Sequence, residues 1–309
     1  MPSSSPRVEI LLATRNGAEF IAEQLQSYAD QTYSTWSLLV SDDGSSDRTL
    51  QIIDEFAKRV PQPVMVRQGP KLGFWQNFAA LVRAADDTAD YFAFSDQDDV
   101  WYADKLARAV AWLQSCDAAT PALYFTRTEL TDRSGRSTGL SPLFVRQPDF
   151  RNAMIQNIGG GNTMVFNRAA LATMRATPDD VAIVSHDWWA YQVVTGVGGT
   201  VTYDPHPSLK YRQHGQNVVG ANVGFRSRLA RLSQFAGGRL KGWNEINTRM
   251  LASLRPQLRP ENAECLNYFM AARQARLPQR LYYLWRSGVH RQTTVENIGL
   301  FVGCLFGRI

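Results

Sequence analysis

Three carboxylates occupy four consecutive positions in Ser95-Asp-Gln-Asp-Asp-Val-Trp101, directly after the apolar run Tyr91 to Ser95. Carboxylates held this close repel one another and raise each other's pKa unless a cation or a basic group compensates. A hard divalent cation is the natural partner. Mg²⁺ typically takes one or two protein carboxylates and completes its octahedron with water and substrate phosphates, which suits a substrate carrying a diphosphate. Asp99 also precedes a helix expected to begin near Ala103, where an acid favours the dipole; a cap accounts for one of the three acids and leaves two for the cation.

Two other polar clusters have the same setting. Asp42-Asp-Gly-Ser-Ser-Asp47 follows an apolar run and opens a helical pattern, and taken alone a cap plus a glycine turn would explain it as well as a ligand site would. Thr14-Arg-Asn-Gly17 closes the first apolar run in the chain. Arg67 and Lys71 flank the exit of a third strand and suit phosphate charge, although exposed basic residues often have no such task. Gly159-Gly-Gly161 either lets backbone approach a ligand closely or forms a flexible turn.

The elements that must position these loops alternate in type. Val8 to Ala13 reads as a buried strand, and Asn16 with Glu19 resembles a capping box ahead of a helix through Phe20, Ile21, Leu25 and Tyr28. Trp36 to Ser41 is a second strand, followed by a helix with Leu50, Ile53, Phe56 and Val60 as its buried stripe. Val64 to Val66 is a third strand, Gly73 opens a third helix through Phe74, Phe78, Leu81 and Val82, and Tyr91 to Ser95 is a fourth strand. A helix at about 103 to 115 and strands at Ala122 to Thr126 and Thr163 to Asn167 follow, the last two joined by a long Gly/Pro/Arg-rich stretch. This grammar predicts an α/β fold with a mostly parallel sheet and helices on both faces. Ligands of such sheets sit where loops leave the carboxyl ends of the strands, so residues 14 to 16, 42 to 47 and 96 to 99 are expected to share one crevice.

Composition narrows the class. With 309 residues and 44% hydrophobic content the chain can bury a large core. Cys116, Cys265 and Cys304 are odd in number and lack CxxC spacing, so neither a disulfide framework nor a zinc site is suggested and a reducing cytoplasm fits. The polar start to Arg7 and the brief apolar run after it imply no export signal. The formal charge of +5 comes largely from residues beyond Arg212. That basic stretch shows no zinc-finger, RRM or basic-zipper signature, so no nucleic-acid partner is expected.

At this point the motifs match a known family. Ile10-Leu-Leu-Ala-Thr-Arg-Asn-Gly17, Ser41-Asp-Asp-Gly-Ser-Ser-Asp47 and Ser95-Asp-Gln-Asp-Asp-Val-Trp101, in this order, resemble the nucleotide-binding half of inverting family 2 glycosyltransferases with the GT-A (Rossmann-like) fold, over about residues 7 to 220. The resemblance implies a nucleotide-diphosphate sugar donor and Mg²⁺ or Mn²⁺ as cofactor. By it, Ala13 and Thr14 would line the base pocket; Asn16, Asp42, Arg67, Lys71 and Gln97 are also expected on the donor side. Asp43 would accept a hydrogen bond from the pyrimidine N3 that uracil and thymine share. Asp96 and Asp98 would be the acidic ends of the DxD motif, Asp98 being the main metal contact.

Leu72-Gly-Phe-Trp-Gln-Asn-Phe78, Gly160-Gly-Asn-Thr-Met-Val-Phe166, Ser185-His-Asp-Trp-Trp189 and Tyr211-Arg-Gln-His-Gly-Gln-Asn217 narrow the likeness to a bacterial rhamnosyltransferase-type branch using dTDP-L-rhamnose or related donors. Inversion needs a base to take the acceptor hydroxyl proton while the diphosphate leaves from the opposite face, and the family's Asp matches Asp187. Where relatives place Glu before it, this chain has His186, a departure that bears on acceptor binding and on the base's pKa. Asp187 also suits a helix cap. Trp188 and Trp189 suit either core or a sugar-stacking face, and Gly161 and Asn162 are expected on the acceptor side. His214 occupies the position from which many relatives return a histidine to the metal or diphosphate.

The implied reaction is transfer of L-rhamnose to a glycan or lipid-linked glycan in bacterial surface polysaccharide synthesis. A UDP-sugar donor is an alternative, as is an inactive carbohydrate- or lipid-binding module on the same fold. A nucleotidyltransferase would more typically carry a Gly-rich phosphate loop near its N-terminus, which is absent. A boundary near 220 divides a catalytic domain, 1–220, from a basic helical C-terminal region, 221–309, with Phe225, Leu229, Leu232 and Phe235 on one helix face and Arg226, Arg228 and Arg231 on the other. Such helices suit an anionic membrane surface on the cytoplasmic side; the alternative is the cover of the catalytic domain or a homodimer interface.

Overall fold

A computed structural model of the chain describes residues 5–213 and 239–309. The helix expected through Phe225 and Leu229 lies outside the described residues.

Strands β1 (Val8–Thr14), β2 (Trp36–Asp42), β3 (Val64–Gln68) and β4 (Tyr91–Ser95) run parallel, with β1 between β4 and β2 and β3 at the edge. The sheet continues past β4 through β9 (Val165–Asn167), which is antiparallel to both β4 and β6 (Ala122–Thr126), and ends beyond β6 at β10 (Thr200–Asp204), making seven strands. A smaller sheet holds four, in the order β5 (Val100–Trp101), β11 (Leu209–Arg212), β7 (Glu129–Thr131) and β8 (Ser137–Leu140). The expected mostly parallel, mixed α/β sheet is therefore present, and the Gly/Pro/Arg-rich stretch supplies β7 and β8.

Because side chains alternate across a strand, each face of the sheet has its own set. Ile10, Leu12, Leu38 and Val40 cluster with Ile21, Leu25 and Tyr28 of α1 (Ile21–Ala29), Ile53 and Phe56 of α2 (Thr49–Ala57), and Leu106, Ala109 and Leu113 of α4 (Lys105–Gln114). On the other face Phe94 meets Phe78 of α3 (Phe74–Ala84) at 5.5 Å between ring centroids. β3 is an edge strand, and Met65 and Val66 are exposed.

Three local expectations are corrected. Asn16 and Glu19 form no capping box; α1 begins after Phe20, and Asn16 stands at φ +49°. In α2 the buried position next to the loop is Thr49, whereas Leu50 is exposed, because Thr49 Oγ1 accepts the Gly17 amide at 2.8 Å. Asp99 does not cap α4, whose preceding residue is Asp104.

The chain groups into two compact units, Met1–Leu143 with Gly159–Arg175 and Thr202–Ala221, and Phe144–Ile158 with Ala176–Val201 and Asn222–Ile309. A single cut near 220 thus describes only the last crossing, and the second unit also takes in residues 144–158 and 176–201. That unit contains α7 (His186–Gly196) and the C-terminal helices α8 (Arg239–Ser253), α9 (Pro260–Gln274), α10 (Gln279–Ser287) and α11 (Thr294–Leu305), where the expected helical pattern is present. Among the described residues no helix is long and apolar enough to cross a membrane.

Candidate active site

In the first unit, parallel register brings the polar loops together. Thr14 pairs with Asp42 at the ends of β1 and β2, and Leu12 pairs with Ser95 of β4. The loops after these strands are then laced by side chain to backbone bonds. Asn16 donates its amide to Ser45 Oγ and accepts from the Ser46 amide, both at 2.8 Å. Its left-handed backbone, tolerated by Asn better than by most residues, turns it toward that loop. Gln97 clamps the first loop to the third: its Oε1 accepts from the Arg15 amide at 2.9 Å and its Nε2 donates to the Arg15 carbonyl at 3.0 Å. A Cβ on Gly17 would lie 2.3 Å from Gln97 Oε1, so glycine there gives the clamp its room.

Asp42 and Asp43, adjacent in sequence, have different duties. The Asp42 carboxylate accepts from Thr14 Oγ1, Ser45 Oγ and the amides of Gly44 and Ser45, at 2.5 to 3.1 Å. Four bonds fill a carboxylate's usual acceptor capacity, so Asp42 builds the loop and is not left to contact a donor. Asp43 accepts one amide on each oxygen, from Lys71 at 2.6 Å and Gly73 at 3.0 Å. One acceptor site per oxygen remains, on a group held rigidly between β2 and α3. Gly73 at φ +110° begins α3 while donating this bond, a conformation for which glycine is suited. Thr14 is buried and Ala13 half-buried beside it. The Lys71 stem passes over Gly44, whereas exposed Arg67 is turned to the Ala80 carbonyl of α3 at 3.5 Å.

The three acids after β4 also divide. Asp96 and Asp98 are half-buried on the loop, while Asp99 is buried. Asp99 accepts from Asn162 Nδ2 at 2.5 Å, and Lys105, fully buried, donates to the Asn162 carbonyl with its ammonium 3.5 Å from the Trp101 ring centroid. Burial, then the charges of Asp98 and Asp96, hold the Asp99 carboxyl well above the usual carboxylate range, and burial pushes the Lys105 ammonium well below its own. Asn162 was expected on the acceptor side; its amide is instead committed to Asp99, and Gly161 is buried with it.

Two oxygen ligands at Asp96 and Asp98 fit a hard cation, and the upward pull that both exert on Asp99 marks negative charge that a cation would offset. Among the described residues no three His, Cys, Asp or Glu side chains are grouped to hold a metal by themselves. His214 lies outside the described residues.

Arg212 holds this loop from behind. Its guanidinium donates to the Asp98 carbonyl at 3.3 Å, the Arg133 carbonyl at 2.8 Å and Glu23 at 2.7 Å, and lies 4.7 Å from the Phe20 ring centroid. Arg212 stands in the motif Tyr211 to Asn217, but nothing local marks this role, since its partners come from three distant segments. Lys105 did leave a signal, a charge at the head of the α4 stripe formed by Ala109 and Leu113.

In the second unit, half-buried Asp187 lies in the first turn of α7, favourable for the helix dipole, and accepts the Trp188 amide at 2.7 Å. Its neighbours face inward. Trp188 and Trp189 are 5% and 2% exposed, and their indole N–H groups donate to the Ala153 carbonyl and to Thr177 Oγ1. They are core residues, and a sugar-stacking face is excluded because neither ring face is open. His186 is buried as well, and burial pushes its pKa down to about 4 against the opposing pull of Asp187, so it is neutral near pH 7 and offers no acceptor contact at the surface.

A sequence description of Glycosyl transferase family 2 matches residues 9–177. The dTDP-rhamnosyl transferase RfbG of Shigella flexneri is 30% identical over 237 residues, 72% of this chain and 78% of that protein. The crystal structure of S. aureus TarS 1-349 in complex with UDP-GlcNAc aligns at a TM-score of 0.52 and 16% identity, over 91% of this chain and 80% of that one. The mannosyltransferase PcManGT from Pyrobaculum calidifontis, in complex with GDP-Man and Mn²⁺, aligns at 0.53 and 17% over 99% and 87%. At those identities the two structures speak for the fold, which is GT-A.

Proposed function

We propose, from the premise that this chain belongs to glycosyl transferase family 2 and is a glycosyltransferase, that it transfers L-rhamnose from dTDP-L-rhamnose, with inversion, to a glycan or lipid-linked glycan acceptor in the synthesis of a bacterial surface polysaccharide. The observation that carries the donor assignment is the likeness to a dTDP-rhamnosyl transferase across 78% of that protein's length. Donor binding is assigned to the loops of the first unit and the acceptor-side base to Asp187 of the second.

Asp43, held by two amides and retaining acceptor capacity, suits the N3–H of thymine. Asp96 and Asp98 would hold Mg²⁺ or Mn²⁺, with His214 as a further ligand. When bound, the cation offsets charge on the departing diphosphate. Asp187 takes the proton of the acceptor hydroxyl as its oxygen bonds to the anomeric carbon and the bond to the diphosphate breaks on the opposite face. Lys71 is assigned to phosphate charge. The same reading places the enzyme in the cytoplasm, peripheral to the membrane.

The test is donor binding and hydrolysis across a panel of nucleotide sugars, with Mn²⁺ and after EDTA, for wild type and Asp98→Ala. Metal-dependent selection of dTDP-rhamnose, lost in the variant, supports both donor and site. Preference for a UDP-sugar keeps the site and discards rhamnose; no binding of any nucleotide sugar overturns the whole assignment in favour of an inactive module.

A further inference from the structure

The last helix of the chain presents an apolar stripe to solvent. Val295, Ile298, Val302 and Phe306 recur at helical spacing and are 71%, 59%, 43% and 72% exposed, with Phe301 exposed beside them. Leu300, Gly303 and Cys304 form the buried side of α11. The stripe is firmly held: a capping box between Thr293 and Glu296 sets the start of the helix, and Arg280 of α10 donates to the Cys304 carbonyl at 3.3 Å near its end. No charged residue stands between Glu296 and Arg308. On α10, Trp285 is 75% exposed with Tyr282 beside it at 6.4 Å between ring centroids.

The segment that carries this stripe is net positive. From Arg239 to the last residue four acids, Glu245, Glu261, Glu264 and Glu296, stand against eleven Arg and Lys, Arg276, Arg280, Arg286 and Arg308 among them; Arg273 and Arg286 are paired with Glu245 and Glu264. Glu296 is itself committed to the helix cap and to Arg291 at 3.4 Å. In a two-fold dimer built on this patch, the patch would meet its own copy and set these arginines against one another. An anionic bilayer has the opposite complementarity: its headgroup phosphates suit arginine, its interface suits Trp and Tyr, and its outer hydrocarbon suits Val, Ile and Phe. At 12 residues α11 is too short to span, so it would lie in the plane of the interface.

We propose that α11, with Trp285 of α10, docks this chain in plane onto an anionic lipid surface. The inference rests on the peripheral placement proposed above and stands whatever sugar is transferred.

The test is co-sedimentation of the full chain with phosphatidylcholine vesicles made with and without phosphatidylglycerol, at low and high salt. Binding is expected only with phosphatidylglycerol and is expected to weaken with salt. The double substitution Ile298→Asp with Phe306→Asp should lower partitioning more than about tenfold, with the melting temperature and donor hydrolysis unchanged. Arg276→Glu with Arg286→Glu, which leaves the stripe intact, should remove the dependence on phosphatidylglycerol and serves if the first variant misfolds. Absence of binding at low salt overturns the proposal, as does wild-type binding by either folded variant. Light scattering that shows a dimer, broken by Ile298→Asp and Phe306→Asp without any lipid binding, would assign the stripe to a second copy.

Discussion

The loops of the first unit and the start of α7 in the second both set acids beside polar or aromatic neighbours at the mouth of a helix, yet their surroundings differ. After β1, β2 and β3, neighbouring residues turn toward one another across loops, and a hydroxyl or an amide from one loop satisfies a carboxylate of another. At α7, Asp187 alone stays half-open while His186, Trp188 and Trp189 face the interior. A motif is therefore not a contact list. In the loops the flanking residues shape the site, and in α7 they anchor the helix that carries one candidate group.

The sharpest way to break that contrast is Asp187→Asn. Turnover should fall by roughly 10²–10⁴-fold, the usual worth of a general base, with donor affinity near wild type by calorimetry; loss of both together would refute the base assignment. Next in size is Trp189→Ala. An indole 2% exposed and bonded to Thr177 should cost about 3–5 kcal/mol of stability, while the fraction still folded keeps its acceptor KM; a raised KM without destabilisation would restore the stacking role.

His186 contributes a pH signature. Its folded pKa, about 4, lies below its ordinary value of 6.5. The unfolded chain therefore takes up the proton first as pH falls, and the stability from burying a neutral ring is full above about 6.5 and lost between there and about 4. The slope should approach 1.4 kcal/mol per pH unit. Denaturant unfolding of wild type and His186→Gln over that range should show the slope only in wild type; equal slopes would mean that His186 is not buried neutral.

The smallest effect is expected at Gly17→Ala. The added methyl would push Gln97 off Arg15, and losing two hydrogen bonds of about 1 kcal/mol each should lower the melting temperature by several degrees and raise the donor KM by at most about thirtyfold. A KM unchanged in a folded variant would show that the clamp does not govern the loop's donor-bound geometry.

Much of the first unit was legible because its elements are decided by local periodicity. Val8 to Ala13, Trp36 to Ser41 and Tyr91 to Ser95 are apolar runs, and the helices after them carry their stripes at helical spacing, so order and type follow without tertiary knowledge. The exceptions are residues where a distant partner overrode the local pattern. Thr49 takes the buried place expected of Leu50 because Gly17 donates to its hydroxyl, and Asn16 leaves its capping role to join Ser45 and Ser46. The role of Arg212 was not legible within its motif, since the carbonyls and carboxylate that hold it come from Asp98, Arg133 and Glu23.

The sequence by itself determined which loops carry the acids and that they leave one edge of a parallel sheet, since run length and alternation settle both. Only the tertiary structure decided which of two adjacent carboxylates is filled or buried. Asp42 is filled by four donors while Asp43 keeps acceptor capacity, and Asp99 is drawn inside to Asn162 while Asp98 remains on the loop. The physical reason is that availability depends on which donors have already claimed a carboxylate's lone pairs, and several of those donors arrive from segments that only the fold brings near.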